Sequence, residues 1–137
     1  MKKVFSINRS SESIDIVILL ARISIAVLML THGIPKIAFF RETPVQFMDL
    51  MGLGAELSLG LAIFAEVVCS LLILFGLGTR IAVIPLIVTM LVAVFLVHGG
   101  DPFAKQEMGL HYLLVYMMLL LTGSGKYSLD RLITAKG

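Results

Sequence analysis

Long apolar runs constrain this chain more than any other feature. A helix needs about 20 predominantly apolar residues to cross a bilayer. Four stretches reach or approach that length, at roughly residues 14–34, 57–77, 81–98 and 106–122. The first is interrupted by Arg22 and His32, and the second surrounds Glu66. The third is almost wholly aliphatic, and the fourth needs Ala104 to Glu107 at the interface to reach across. Composition agrees: 58% of residues are hydrophobic and 15% charged, whereas a soluble domain carries about a quarter charged residues. The expected fold is an all-α membrane protein of one domain. It is a bundle of four antiparallel transmembrane helices with an outer interfacial segment between the first two.

Several function classes fall away at once. A net charge of +2 without a clustered basic face does not suit nucleic-acid binding. Cys69 is the only cysteine, which excludes an internal dithiol and a thiolate zinc site. The N-terminus has basic residues before an apolar run, as a signal peptide does. The run is too long, however, and His32-Gly33-Ile34-Pro35-Lys36 follows in place of a small-residue cleavage site. It reads as a retained anchor.

Four spans put both termini on one side. Lys2, Lys3, Arg9, Arg80, Lys126, Arg131 and Lys136 fall there, against Lys36, Arg41 and Lys105 on the other. The positive-inside bias therefore places both termini in the cytoplasm. Gly76 to Arg80 reads as a tight turn, and Pro85 as a residue near the start of the third helix, where a missing N–H costs little. Residues 38–55 carry Phe39, Phe40, Phe47, Met48 and Met51 among polar residues, the pattern of an interfacial or re-entrant helix. Ser128 followed by Asp130 predicts the N-cap of a short cytoplasmic helix. No internal repeat or low-complexity stretch is present.

Arg22 and Glu66 sit near the middle of their own spans, where an unpaired charge costs about 2.5–3.5 kcal/mol. An Arg22–Glu66 ion pair is the simplest expectation, serving either as a helix pin or as part of a proton or quinone site. Ala55, Ser58, Ala62, Ala65 and Cys69 form a small-residue stripe beside Glu66, and Ala26, Met29 and Gly33 follow Arg22 at the same periodicity. Small residues mark helix contact faces in membranes.

A second constellation follows from topology. His32, His98 and His111, every histidine of the chain, fall at the outer end with Lys36 and Glu107. Glu107 and His111 are four apart, hence neighbours on one helix surface, and a carboxylate beside an imidazole orients it and raises its basicity. Three readings stay open: a metal site using His98, Glu107 and His111, a quinone site exchanging protons, or helix capping. The remaining signals are weak. Gly123-Ser124-Gly125-Lys126 lacks the Ser/Thr and first glycine of a phosphate loop. Cys69 and the methionines read as packing or lipid-facing residues.

The same residues resemble the DoxX family of small four-helix bacterial membrane proteins, over about residues 14–132. Four pieces carry the resemblance: Ala21-Arg22 with His32-Gly33 and Lys36; Ala65-Glu66 with Leu71 through Arg80; Val97-His98-Gly99 with Phe103; and Gly123 to Gly125 with Lys126 through Asp130. The resemblance implies a multi-pass inner-membrane protein linked to redox chemistry. Members of the family are associated with thiosulfate:quinone oxidoreductase, with responses to quinones and with a membrane-bound oxidoreductase complex. Arg22, His32, Glu66 and His98 fall at matching motif positions, while Glu107 and His111 rest on their spacing alone. The expected function is a quinone-linked redox subunit that binds a quinone or docks an oxidoreductase partner, and that forms homo-oligomers as such small spans commonly do. Its rival is a non-enzymatic scaffold or small-solute carrier.

Overall fold

The computed structural model describes residues 11–136 and is helical throughout its regular segments. Lys2, Lys3 and Arg9, which enter the charge count by side, lie outside the described residues. Helix α1 spans Ser11–Phe39, α2 Ala55–Phe75, α3 Thr79–Val97, α4 Phe103–Thr122 and the short α5 Leu129–Thr134. The first three are long and apolar enough to cross a membrane. Helix α4 has the length but carries Lys105, Glu107 and His111 in its first half. α1 packs on α2, α2 on α3, α3 on α4, and α4 returns to α1.

The interior mixes small residues with a few large ones, Met29, Leu59, Ile73, Leu86 and Tyr116 among them. Ser58, Ala62, Ala65 and Cys69 of the α2 stripe are buried, as are Ala26, Met29 and Gly33 of α1. Many other large aliphatics point outward, with Val17, Ile81 and Leu121 among the most exposed. In lipid this inversion is the stable arrangement, because tails are as apolar as leucine and only close packing distinguishes helix contact from lipid contact. At Gly33 the approach is limiting: a Cβ there would lie 2.8 Å from Glu66 Cβ and 2.9 Å from Val67 Cγ2.

Three local expectations need correction. Helix α1 does not stop near residue 34 but continues through Pro35 to Phe39. In an apolar medium the helix keeps its remaining backbone bonds, since no water stands ready to replace them. Pro85 lies seven residues into α3, past the first turn, and its carbonyl accepts the Thr89 hydroxyl at 2.8 Å. Residues 40–54 form turns and irregular chain, not a helix. Pro44 donates no N–H, Gly52 and Gly54 adopt positive φ, and the Asp49 carboxylate takes the Gly54 N–H at 2.9 Å. Each of these competes with helical bonding. The tail behaves as expected, the Ser128 hydroxyl oxygen accepting the Arg131 N–H to cap α5.

Gly33→Ala is expected to cost about 1–3 kcal/mol, the range for forcing extra volume into a packed interior. Chemical denaturation in detergent, followed by exposure of the buried Cys69 thiol, measures it. Unchanged stability would show that α1 and α2 do not meet at this point.

Candidate functional site

The two intramembrane charges do not pair with each other. Glu66 Oε1 and Oε2 lie 2.5 and 2.6 Å from Lys36 Nζ. Arg22 instead donates to four backbone carbonyls: Nε to Ile73 at 3.1 Å, Nη2 to Leu74 at 3.3 Å, and Nη1 to Tyr127 at 3.0 Å and to Ser124. The expected Arg22–Glu66 pair fails because α1 and α2 run antiparallel with an offset. Gly33 faces Glu66, while Arg22 faces Gly76, where a Cβ would meet the guanidinium at 2.6 Å. Lying midway along each span therefore does not place two residues at one depth. Eleven residues of α1, about 16 Å at 1.5 Å each, separate Arg22 from the level of Glu66.

Arg22 serves as a cap. Ile73 and Leu74 belong to the last turn of α2, whose carbonyls have no partner within the helix. A planar five-donor guanidinium can bridge them to the chain that follows α4. Around it, Gly76 takes φ +69°, its carbonyl accepts Asp130 N–H at 3.0 Å, and Asp130 Oδ1 accepts Gly78 N–H at 2.8 Å. Arg22 thus ties together the end of the helices that carries the 76–78 turn, here the proximal end.

At the opposite, distal end the helices leave a cavity of about 190 Å³. Its polar wall is His32 and Lys36 from α1, Glu66 from α2, His98 following α3, and Lys105 and Tyr112 from α4. Met29, Met90, Val94 and Met108 supply apolar wall. The continuation of α1 through Pro35 is what brings Lys36 to Glu66. Two segments beside the cavity are wound as π-helix: Phe64–Cys69, which contains Glu66, and Val92–Val97, which ends at His98. Such wider turns inside α-helices occur frequently at functional sites.

His98 is oriented by Asp101, with Nδ1 and Oδ2 2.8 Å apart, and the Gln106 amide donates to the carbonyls of both residues at 2.8 and 3.2 Å. The bond to His98, with help from Lys105, holds the Asp101 carboxyl below the usual carboxylate range. A depressed folded value means that this contact is at full strength above the ordinary carboxylate pKa and is lost only as pH falls through the lowered one. His32 meets the Tyr112 ring edge-on, with centroids 5.8 Å apart, and Tyr112 stacks on Tyr116.

Of the residues singled out from the sequence, His32, Glu66 and His98 come together at this cavity. Arg22 belongs to the proximal end, and Glu107 and His111 are exposed on α4 outside the cavity wall. Among the described residues no three of His, Cys, Asp and Glu gather closely enough to hold an ion, so His98, Glu107 and His111 are not brought together as a group. Sequence reasoning missed Asp101 as the partner of His98 and Tyr112 as cavity wall. Asp101 stands three residues after His98 across a Gly-Gly pair, and Tyr112 adjoins His111 on the neighbouring face.

These residues now have a family context. The DoxX family signature matches residues 17–99, a stretch that includes Arg22, His32, Lys36, Glu66 and His98. The chain belongs to the DoxX family. It is 34% identical over 128 residues to the inner membrane protein YqjF of Escherichia coli (strain K12), covering 89% of this chain and 95% of that one. It is 31% identical over 121 residues to CatD of Bacillus subtilis (strain 168), named as a proposed oxidoreductase, covering 88% of this chain and 89% of that one. No solved structure matches it.

The Lys36–Glu66 contact makes a direct prediction. Lys36→Met or Glu66→Gln alone is expected to destabilise by about 3–5 kcal/mol, because each leaves a buried charge or a dry acceptor uncompensated. The double variant is expected to recover at least 1 kcal/mol of the summed loss. A strictly additive pair in a denaturation cycle would mean that the two groups do not interact.

Proposed function

We propose that this DoxX-family chain is a multi-pass subunit of a quinone-linked redox system in the bacterial inner membrane, holding a quinone ring in the distal cavity. The observation that carries the reading is the meeting, in one mostly apolar cavity, of the Lys36–Glu66 pair with His98 and the Tyr112 ring. Size supports it as well. An apolar cavity of about 150 Å³ accepts benzene, so about 190 Å³ suits one substituted ring.

Quinones supply reversible two-electron, two-proton chemistry when bound. The side chains of this cavity are of the kind such chemistry uses. Lys36 is a donor held in place by Glu66, and His98, fixed by Asp101, can give or take a proton at its other ring nitrogen. With one cysteine, no dinucleotide fingerprint and no haem-attachment motif in the sequence, electrons come from an oxidoreductase partner. The name of the Bacillus relative supports this reading, and that of the Escherichia relative supports the inner membrane. In the bilayer, α4 makes a fourth crossing with Lys105 and Glu107 at the interface. That completes an antiparallel four-helix bundle with both termini in the cytoplasm. Residues 40–54, with Phe40, Met48 and Met51 exposed, lie on the outer surface.

Thermal unfolding in detergent, reported by a thiol-reactive dye at Cys69, tests the reading. A short-chain quinone at about 100 times its Kd is expected to add about 2.7 kcal/mol of stability. Glu66→Gln and His98→Ala are expected to abolish that gain, and His111→Ala to retain it. If no quinone delays unfolding of the wild-type chain, the cavity is a packing defect in a scaffold and the redox assignment is wrong.

A further inference from the structure

A cleft at the proximal end plays no part in the quinone reading. It measures about 310 Å³ and lies where α3 begins and α4 ends, with Thr79, Arg80, Ile81, Thr122, Ser124 and Asp130 in its wall. That is about twice the volume of a cavity that holds benzene. α3 is 19 residues long and apolar enough to cross a membrane. Its length is about 28 Å, against a hydrocarbon core about 30 Å thick. The first residue of α3 therefore stands at the boundary of that core, and the cleft sits at headgroup depth.

Three features of the wall select a ligand. Arg80 is exposed, and its Nη2 donates to the Leu121 carbonyl at 3.2 Å. Gly123 lets the chain lie against it, since a Cβ there would stand 3.1 Å from Arg80 Nε. The other N–H groups of this anchored guanidinium form a fork that fits a phosphate. Beside it is the N-terminus of α3, which has no side-chain cap and favours an anion. Thr79, the first residue of α3, is 1% exposed, and among the described residues its Oγ1 has no hydrogen-bond partner. Buried hydroxyls are normally paired, so this one points to a polar group taken into the cleft. Asp130 brings the opposite charge. Its Oδ1 accepts the Gly78 N–H at 2.8 Å, and a carboxylate has lone pairs left for a further donor. A bare phosphate would meet Asp130 as a like charge, whereas a phosphate carrying a cationic arm matches both groups. The rim is apolar: Ile81 and Leu121 are 76% and 75% exposed, one at the start of α3 and the other at the end of α4.

We propose that this cleft binds the headgroup of a zwitterionic phospholipid, a phosphate diester bearing a primary ammonium, with the acyl chains running over Ile81 and Leu121. Arg80 and the start of α3 take the phosphate, and Asp130 takes the ammonium. A quaternary ammonium offers Asp130 no N–H, and an anionic headgroup offers it no positive charge. The site shares no wall residue with the distal cavity and stands whether or not that cavity holds a quinone. A lipid seated there bridges the start of α3, the chain after α4 and α5.

The test mixes the intact chain in nonionic detergent with one phospholipid at a time, with the same acyl chains and at equal mole fraction, and counts retained lipid by native mass spectrometry. Phosphatidylethanolamine is expected to bind about tenfold tighter than phosphatidylcholine or phosphatidylglycerol, equivalent to about 1.4 kcal/mol. Asp130→Asn keeps an acceptor for the Gly78 N–H but removes the charge, and is expected to shift the preference to phosphatidylglycerol. Arg80→Gln is expected to weaken binding of all three lipids. In each variant a Cys69 thiol that stays unreactive until unfolding reports an intact bundle. Soluble phosphoethanolamine, which has both charges and no acyl chain, is expected not to displace the lipid. Equal binding of the three lipids to the wild-type chain, or an ethanolamine preference that survives either variant, overturns the proposal. Tightest wild-type binding of phosphatidylglycerol makes the cleft a plain basic patch and overturns it too. Displacement by soluble phosphoethanolamine at matching concentration makes the occupant a water-soluble phosphate ester and overturns the lipid assignment.

Discussion

A charge inside an apolar slab must meet partners at its own depth, and this requirement sets the register of α1 on α2. Lys36 reaches Glu66, and Arg22 reaches the carbonyls of Ile73 and Leu74. The two demands are compatible only because the helices run antiparallel: going down α1 from Gly33 to Arg22 goes along α2 from Glu66 to Gly76. Gly33 makes the approach close enough for both, its missing Cβ being the space that Glu66 Cβ nearly fills. A register shifted by one turn, about 5.4 Å, would strand both cations at once.

Once α1 and α2 are fixed, the two ends of the molecule diverge. At the proximal end Arg22 extends the α1–α2 contact to the chain after α4 by taking the Ser124 and Tyr127 carbonyls. Asp130 then ties the 76–78 turn to α5. Arg22 and Asp130 there meet backbone partners that tie α1, the 76–78 turn and the chain after α4 together. At the distal end α2 and α3 each widen into a π segment, the α1–α2 connection is irregular, and side chains from four helices face a cavity. The chain is stapled by backbone contacts at one end and carries the mixed polar and apolar cavity at the other.

The helices and their contact faces were legible in the sequence, because the 20-residue apolar runs and the small-residue stripes each report a single helix and its surroundings. Ser58, Ala62, Ala65 and Cys69 are buried as that stripe implies. What one helix cannot report is its offset against another. Arg22 and Glu66, each central in its own span, sit at different levels because α1 packs on Glu66 through Gly33, eleven residues beyond Arg22. Ending the first span near residue 34 left Lys36 at the helix end and not beside Glu66, its partner. Proline removes one backbone bond and crowds the carbonyl four residues earlier, but in an apolar environment no water replaces the remaining bonds and the helix continues. Glu107 and His111 misled for a related reason: they are neighbours on α4, but on a face turned away from the bundle.

The placement of the Lys36–Glu66 pair supports the proposed ligand site more than it serves the architecture. Buried ion pairs are weak stabilisers, since removing two charges from water offsets most of their attraction. A chain that needed only to hold α1 against α2 already has Arg22, which fixes the same register on neutral carbonyls. It also has Gly33 and the alanines of α2, which pack without electrostatic cost. The second pair enforces the same register again, at a desolvation cost that packing alone would avoid. It stands at the cavity wall, with Glu66 inside a π segment, and with Lys36 the more exposed partner at 27% of its side chain against 4% for Glu66. That asymmetry keeps the carboxylate dry while its cation faces the cavity, where a ligand oxygen could share it.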